Sequence, residues 1–201
     1  MSGKHSNLPS NQLQQGNKVK PFLVLCLPIS LLAGCLGTLD IKPGSYQKLP
    51  KGAEITAAGT LLAEARIIRV SDGDTLTVLG PDKKTYKIRL QGIDAPEKKQ
   101  PYGQKCKESL MMLTANLPAT VEAYKKDRYG RVVAKVSING KDVALEQIRN
   151  GCGWHYAAYA KEQSHTDQAA YAAAEQQARR AKAGLWHDKK PQAPWDYRHR
   201  D

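Results

Sequence analysis

The side chains best suited to chemistry in this 201-residue chain lie in three short motifs. Residues 72–75 read Asp-Gly-Asp-Thr, residues 89–97 read Arg-Leu-Gln-Gly-Ile-Asp-Ala-Pro-Glu, and residues 127–131 read Asp-Arg-Tyr-Gly-Arg. Their side chains include two carboxylates that can bind a cation, a third carboxylate near them, and the arginines at positions 89 and 131. A divalent cation and two guanidiniums can neutralise charge that grows on phosphate oxygens, while a carboxylate helps to deprotonate a water. These residue types predict the hydrolysis of a phosphodiester.

The two cation-binding carboxylates, Asp74 and Asp94, are predicted to meet at one end of a β-hairpin. A strand pattern covers residues 75–79, a Gly-Pro-Asp turn follows at 80–82, and an alternating strand returns over residues 84–91. Antiparallel pairing brings the start of the first strand beside the end of the second. Carboxylate oxygens favour a hard ion, Ca²⁺ or Mg²⁺, over zinc. An ordinary turn is the alternative for the first motif taken alone.

The third carboxylate and the two arginines complete this chemistry. Glu97 follows Asp94 by three positions, and Pro96 fixes its own φ and so helps to orient the loop. A carboxylate placed there can accept a proton from a water near the cation. Arg89 and Arg131 can each bind phosphate through a planar fork of charge-assisted hydrogen bonds. A solvated surface charge is the alternative for each of these three side chains.

The order and spacing of the motifs resemble the staphylococcal nuclease (thermonuclease) family over residues 61–188. The resemblance implies that the cation is calcium rather than magnesium. Its implied ligands are Asp74, Asp94 and the main-chain oxygen of Ala95, where well-known members have threonine. Glu97 is the implied general base or water-positioning group. The resemblance assigns Arg89 and Arg131 to stabilising the transition state.

The substrate-binding residues are also implied by the resemblance. Arg128 and Tyr129 match the positions that hold a terminal phosphate in the family. Tyr156 or Tyr159 could supply the aromatic face on which a base stacks, and the sequence does not decide between them. The chain between Glu97 and residue 102 is several residues shorter than in the best-known secreted members.

The predicted elements that must position these residues mix strands and helices. Helical patterns cover residues 102–116, 143–148 and 167–183, and a second hairpin surrounds the motif at 127–131. Unaided, this pattern supports an α+β fold with an antiparallel sheet. The resemblance implies a mainly β structure, an OB-fold with a five-stranded antiparallel barrel and about three helices.

The N-terminal segment is predicted to be a targeting signal. A basic flank and a short apolar run precede the sequence Leu-Ala-Gly-Cys at residues 32–35, which resembles a bacterial lipobox. We therefore expect a signal peptide over residues 1–34, lipidation of Cys35 and a flexible tether over residues 35–60. Residues 189–201 are expected to be a loose C-terminal tail. The expected location is the bacterial cell envelope, anchored at the outer membrane or periplasmic face, or secretion if the lipobox is not used.

The charge balance fits a polyanionic substrate. The chain has 31 Lys+Arg against 19 Asp+Glu, a formal net charge of +12, and a basic domain attracts nucleic acid or anionic lipid. We expect a monomeric, metal-dependent nuclease that hydrolyses DNA and RNA with little sequence specificity and favours single strands. The alternatives are a non-catalytic nucleic-acid-binding OB-fold lipoprotein and a lipoprotein that binds anionic lipid or glycan.

Two cysteines, Cys106 and Cys152, remain in the predicted domain. In an oxidising compartment they could form a disulfide. Two separately buried thiols are an equal alternative.

Overall fold

The computed structural model describes residues 53–55, 61–115 and 117–199. The predicted signal peptide, the lipidation site at Cys35 and most of the predicted tether lie outside these residues. Within them, no helix is long and apolar enough to cross a membrane.

The described residues form nine strands and four α-helices. The strands are β1 (Ala53–Ile55), β2 (Leu61–Val70), β3 (Thr75–Leu79), β4 (Thr85–Leu90), β5 (Ile93–Asp94), β6 (Pro118–Lys126), β7 (Val132–Ile138), β8 (Lys141–Asp142) and β9 (Trp154–His155). The helices are α1 (Gly103–Thr114), α2 (Val143–Arg149), α3 (His165–Arg180) and α4 (Pro194–Arg198), with 3₁₀ turns at Ala157–Glu162 and Gly184–His187.

Five strands close into a barrel in the order β2-β3-β4-β7-β6, because β6 also pairs with β2. The fold is therefore the expected OB-type barrel of an α+β protein. Its pairings are antiparallel except for β4 with β7, which run parallel with Arg89 opposite Val133. The expected fold is confirmed, and this pair is the one parallel exception among the described barrel strands. The parallel pairing matters for the site, since it brings the end of β4 beside the start of β7.

Alternation of side chains along the strands explains the barrel core. In β7, Ala134, Val136 and Ile138 point inward and are buried, while the intervening residues are partly exposed. Helix α2 contributes Ile148 and α3 contributes Tyr171 to the same core. A fully buried aliphatic side chain contributes about 1.5–3 kcal/mol through removal from water. The core therefore fixes the barrel rim on which the site is built.

Parts of the predicted tether and of the predicted C-terminal tail belong to the folded domain. Residues 53–55, which are expected to belong to the tether, pair with β2 as strand β1. The C-terminal segment 189–199 packs on the domain, so the expectation of a loose tail is wrong there. The reason is aromatic packing: Trp195 in α4 meets Trp154 edge-on with ring centroids 5.6 Å apart. This packing brings α4 to the edge of a cleft.

Candidate active site

The carboxylates of Asp74 and Asp94 face one another across a single guanidinium. Asp74 directly precedes β3 and Asp94 lies in β5, just after the return strand β4. Nη2 of Arg89 lies 2.9 Å from Oδ1 of Asp94 and 3.2 Å from Oδ2 of Asp74. The hairpin pairing Thr75 with Arg89 produces this arrangement. The structure thus brings together the two predicted cation ligands and the predicted phosphate-binding arginine.

The loop that carries Asp74 is held by hydrogen bonds from Gln147 of α2. The Gln147 side chain is fully buried, and its Nε2 donates to the carbonyl oxygens of Gly73 at 2.7 Å and Cys106 at 3.0 Å. Its Oε1 accepts a hydrogen bond from Ser109 Oγ at 2.6 Å. One amide therefore ties the Asp74 loop to both α1 and α2.

Asp74 itself is held by its neighbours on both sides. Its Oδ2 accepts the backbone N–H of Ala95 at 2.8 Å, and its Oδ1 accepts the hydroxyl of Thr75 at 2.9 Å. The first of these bonds joins the loops of Asp74 and Asp94 directly. Residues 94–97 are therefore placed by backbone geometry as well as by ion pairs.

The Glu97 loop is fixed by Gln100. The Glu97 N–H donates to Oε1 of Gln100 at 3.0 Å, and Nε2 of Gln100 donates to the carbonyl oxygen of Gln192 at 2.7 Å. A Cβ at Gly103 would lie 2.0 Å from the Glu97 carbonyl oxygen, so only glycine allows α1 to begin so close to this loop. The Glu97 carboxylate points into the cleft with 41% of its side chain exposed.

Arg131 is aimed by the turn between β6 and β7. Oδ1 of Asp127 accepts the N–H groups of Tyr129 and Arg131, both at 2.9 Å, and Gly130 takes a positive φ of 77°. Oδ2 of Asp127 then accepts Nε of Arg131 at 2.7 Å. With Nε engaged, the guanidinium extends toward the cleft, where its Nη1 lies 3.5 Å from Thr75 Oγ1.

A cleft of about 620 Å³ contains all of the predicted polar site side chains and the predicted aromatic ones. Arg128 and Tyr129 lie at its exposed edge, and Tyr129 is 69% exposed. Tyr156 stacks on Trp195 at 5.1 Å and 27°, which covers one face of its ring. Tyr159 is half exposed, and Lys125 Nζ lies over its ring at 5.4 Å from the centroid, so each tyrosine has one covered face.

Sequence analysis missed Arg198, which enters the cleft from α4. Its Nη2 lies 2.8 Å from Oδ2 of Asp94, and its Nη1 lies 2.6 Å from Oε1 of Glu97. No motif surrounds this arginine, and its position follows from the docking of α4. The one sequence signal that could have found it is Trp195, a large aromatic residue three positions earlier.

Burial shapes the electrostatics of the carboxylates. Burial raises the pKa of Asp94 above its ordinary value, and the bonds from Arg198 and Arg89 oppose that rise. Burial and the neighbouring charge of Asp74 raise the pKa of Asp72 to about 6. Burial therefore disfavours the ionised forms of these carboxyl groups, and a cation beside them would favour those forms.

The donor set at Asp74 and Asp94 suits a hard divalent cation. The two carboxylates both contact one nitrogen of Arg89, so each could contribute an oxygen to a cation bound beside that guanidinium. Among the described residues, no group of three or more His, Cys, Asp or Glu side chains has metal-site geometry. Calcium prefers about 6–8 oxygens, so the remainder would come from backbone carbonyl, water and substrate.

The two cysteines lie side by side behind the Asp74 loop. Both Cys106 and Cys152 are buried and free. The hydrogen bond between the thiols, together with burial, raises the pKa of Cys106. The structure therefore brings the two cysteines together as adjacent free thiols, which matches neither the disulfide nor two separately buried thiols.

The fold and the site define a small OB-type barrel protein whose cleft joins paired carboxylates to arginines. A family model described as staphylococcal nuclease homologue matches residues 87–188. The chain belongs to this family, and the resemblance drawn from the motifs is confirmed.

Relatives with printed names support the same assignment. An "uncharacterized endonuclease" of Escherichia coli is 40% identical over 136 residues, which are 67% of this chain and 84% of that protein. A protein of the same description from Haemophilus influenzae is 38% identical over 136 residues, 68% of this chain and 73% of that protein. A "probable staphylococcal-like nuclease" of Oryza sativa is 40% identical over 115 residues, 57% of this chain. The chain spans only 33% of that plant protein and 48% of a relative from Capnoides sempervirens.

Proposed function

We propose that the protein is a calcium-dependent nuclease that hydrolyses phosphodiester bonds of DNA and RNA. The observation that carries the proposal is the convergence of Asp74 and Asp94 on Arg89 in a cleft that Glu97 and Arg131 also line. The endonuclease and nuclease names of the relatives support the same reaction class. Calcium is favoured over magnesium because it accepts irregular sets of oxygen ligands.

Each side chain of the cleft has a defined task in this proposal. A divalent cation held by Asp74, Asp94 and the main-chain oxygen of Ala95 would supply positive charge beside the phosphodiester and make a water more acidic. Glu97 accepts the proton of the attacking water. Because Asp127 holds only the Nε edge of Arg131, the Nη groups are left to donate to phosphate oxygens.

Arg89 has the same task from strand β4. Its side chain is only 14% exposed, so its charge acts with less screening than a surface arginine would. Fixed donors of this kind are worth most where charge develops in the transition state.

Substrate binding through phosphates and stacking explains why little sequence preference is expected. Arg128 and Tyr129, at the exposed edge, would bind a terminal phosphate. Tyr159, or Tyr156 through its uncovered face, would stack on a base, an interaction worth about 1–3 kcal/mol that every base can make. Unpaired bases expose their faces, so single strands are favoured.

Hydrolysis of single-stranded DNA with calcium, with magnesium and with excess chelator tests the proposal. Glu97→Gln should lower the rate by about 10²–10⁴-fold because the proton acceptor is lost. Arg131→Ala should lower it by about 10²–10³-fold because a fixed charge donor is lost. Glu108→Gln and Arg180→Ala, at exposed positions outside the cleft, are matched controls. DNA retained without cleavage under any metal would favour the non-catalytic binding module.

We also propose lipidation of Cys35, which would hold the enzyme at the bacterial cell envelope. The support is the Leu-Ala-Gly-Cys sequence after a basic flank and a short apolar run. Mass spectrometry of the mature N-terminus should detect a lipid on Cys35. Loss of membrane association in Cys35→Ser, with hydrolysis retained, would agree with an anchor that is separate from the catalytic domain.

A further inference from the structure

A cation that belongs to the chain itself already occupies the carboxylates of the cleft. Arg198 lies within 2.8 Å of Oδ2 and 3.3 Å of Oδ1 of Asp94, while Arg89 takes Oδ1 at 2.9 Å. Both oxygens of Asp94 are therefore engaged by guanidiniums. The same Arg198 fork binds Oε1 of Glu97 at 2.6 Å.

Helix α4 places Arg198 there by packing that is independent of the ion pairs. Trp195 stacks on Tyr156 and contacts Trp154, and the carbonyl of Gln192 accepts a hydrogen bond from Gln100. The family match ends at residue 188, so Arg198 lies beyond the part of the chain that the family model covers. The arginine is thus a feature of this chain's C-terminal segment.

The charges show why this contact matters for a metal. Three carboxylates, those of Asp74, Asp94 and Glu97, meet two guanidiniums, those of Arg89 and Arg198. A divalent cation added to this set would lie within a few ångströms of both arginines. Repulsion between like charges falls if one arginine leaves, and the three carboxylates are then balanced by one guanidinium and the divalent cation.

The two arginines differ in how easily they can leave. The Arg89 side chain is 14% exposed and lies in a strand, whereas the Arg198 side chain is 42% exposed on a five-residue helix. A partly exposed guanidinium regains hydration when it rotates toward solvent, so little free energy is needed to break its ion pairs. Of the two guanidiniums, that of Arg198 is therefore the easier one to displace.

We propose that Arg198 is an exchangeable counter-ion of the metal site, holding Asp94 and Glu97 until a divalent cation takes Asp94. The C-terminal helix thereby sets the cation affinity of the site. This inference rests on the proposed metal dependence. It adds that the affinity is tuned by a residue outside the three motifs.

Calorimetric titration of the purified protein with Ca²⁺, without substrate, tests the inference. Arg198→Gln should bind Ca²⁺ roughly tenfold more tightly, because the competing charge is removed from the buried Asp94. Arg198→Lys keeps the charge without the fork and should fall between Arg198→Gln and the wild type. Arg180→Gln removes the same charge from an exposed position outside the cleft and should leave the affinity within about twofold.

The outcomes separate this inference from the proposed function. If the wild type binds Ca²⁺ and Arg198→Gln binds it equally or more weakly, Arg198 is not a competitor and only the inference fails. If neither protein binds Ca²⁺ while both give the same circular dichroism spectrum, the metal dependence fails as well. Tighter binding in Arg198→Gln, with an unchanged Arg180→Gln control, supports the exchange.

Discussion

Replacing Gln147 by leucine tests whether the Asp74 loop is held by one buried amide. Gln147 makes three hydrogen bonds, to the carbonyls of Gly73 and Cys106 and from the hydroxyl of Ser109, at 2.6–3.0 Å. Leucine has a similar size, so it removes these bonds without opening a large cavity. The change therefore isolates the polar contribution of the side chain.

The expected loss follows from the groups left without partners. The Cys106 carbonyl lies inside α1 and keeps the partner of a helical carbonyl. The Gly73 carbonyl and the Ser109 O–H lose a buried partner, at about 1–3 kcal/mol each. Burial of the apolar leucine side chain offsets part of this loss of stability, so we expect the free energy of unfolding to fall by about 3 kcal/mol.

Urea unfolding followed by circular dichroism measures this loss. Ser109→Ala breaks one of the three bonds and should cost about 1 kcal/mol. The double variant should lose less free energy of unfolding than the sum of the two single losses, because both substitutions remove the same hydrogen bond. If Gln147→Leu lowers the free energy of unfolding by less than about 1 kcal/mol, or if the two losses are fully additive, the claim that the Gln147 amide holds the Asp74 loop is refuted.

Two further predictions concern the C-terminal half. Gly151→Ala should lower the free energy of unfolding by more than about 2 kcal/mol, since its φ is +65° and a Cβ would lie 2.1 Å from the carbonyl oxygen of Ala183. Gly140→Ala is the control, because Gly140 has φ +74° and a Cβ there would meet nothing within 4 Å, so only the conformational cost applies. If thermal melts show equal losses of stability for the two variants, the close contact with Ala183 does not contribute. Burial and the bond to Asp142 raise the pKa of Tyr171, so its stabilising effect is complete below pH 10 and declines above it. Stability measured from pH 9 to 12 should decline less steeply in Tyr171→Phe, and an identical slope would contradict this.

Local patterns predict the core of the site well because its residues lie at strand ends. The carboxylates of Asp74 and Asp94 are twenty positions apart, yet antiparallel pairing alone brings them together. Likewise, the Asp127 turn is encoded within five residues, since Asp127 binds both the backbone and the side chain of Arg131. The roles assigned to these residues stay predictions until the variants are measured.

What sequence analysis could not predict depends on contacts between distant segments. The parallel pairing of β4 with β7 leaves no mark on the alternation of either strand, because each is half buried in the same way whichever direction its neighbour runs. Arg198 lies 104 residues after Asp94, and only the docking of Trp195 reveals that the two meet. Gln147 was equally hidden, since a polar residue on a short helix usually faces water.

The packing of α4 also gives the protein a built-in optical reporter. All three tryptophans of the chain, at positions 154, 186 and 195, lie in one aromatic cluster, with ring centroids of Trp154 and Trp186 only 4.3 Å apart. The five barrel strands contain none. Intrinsic tryptophan fluorescence therefore reports the packing of the C-terminal segment rather than the integrity of the barrel. Any movement of the helix that carries Arg198 shifts the emission wavelength without an added label.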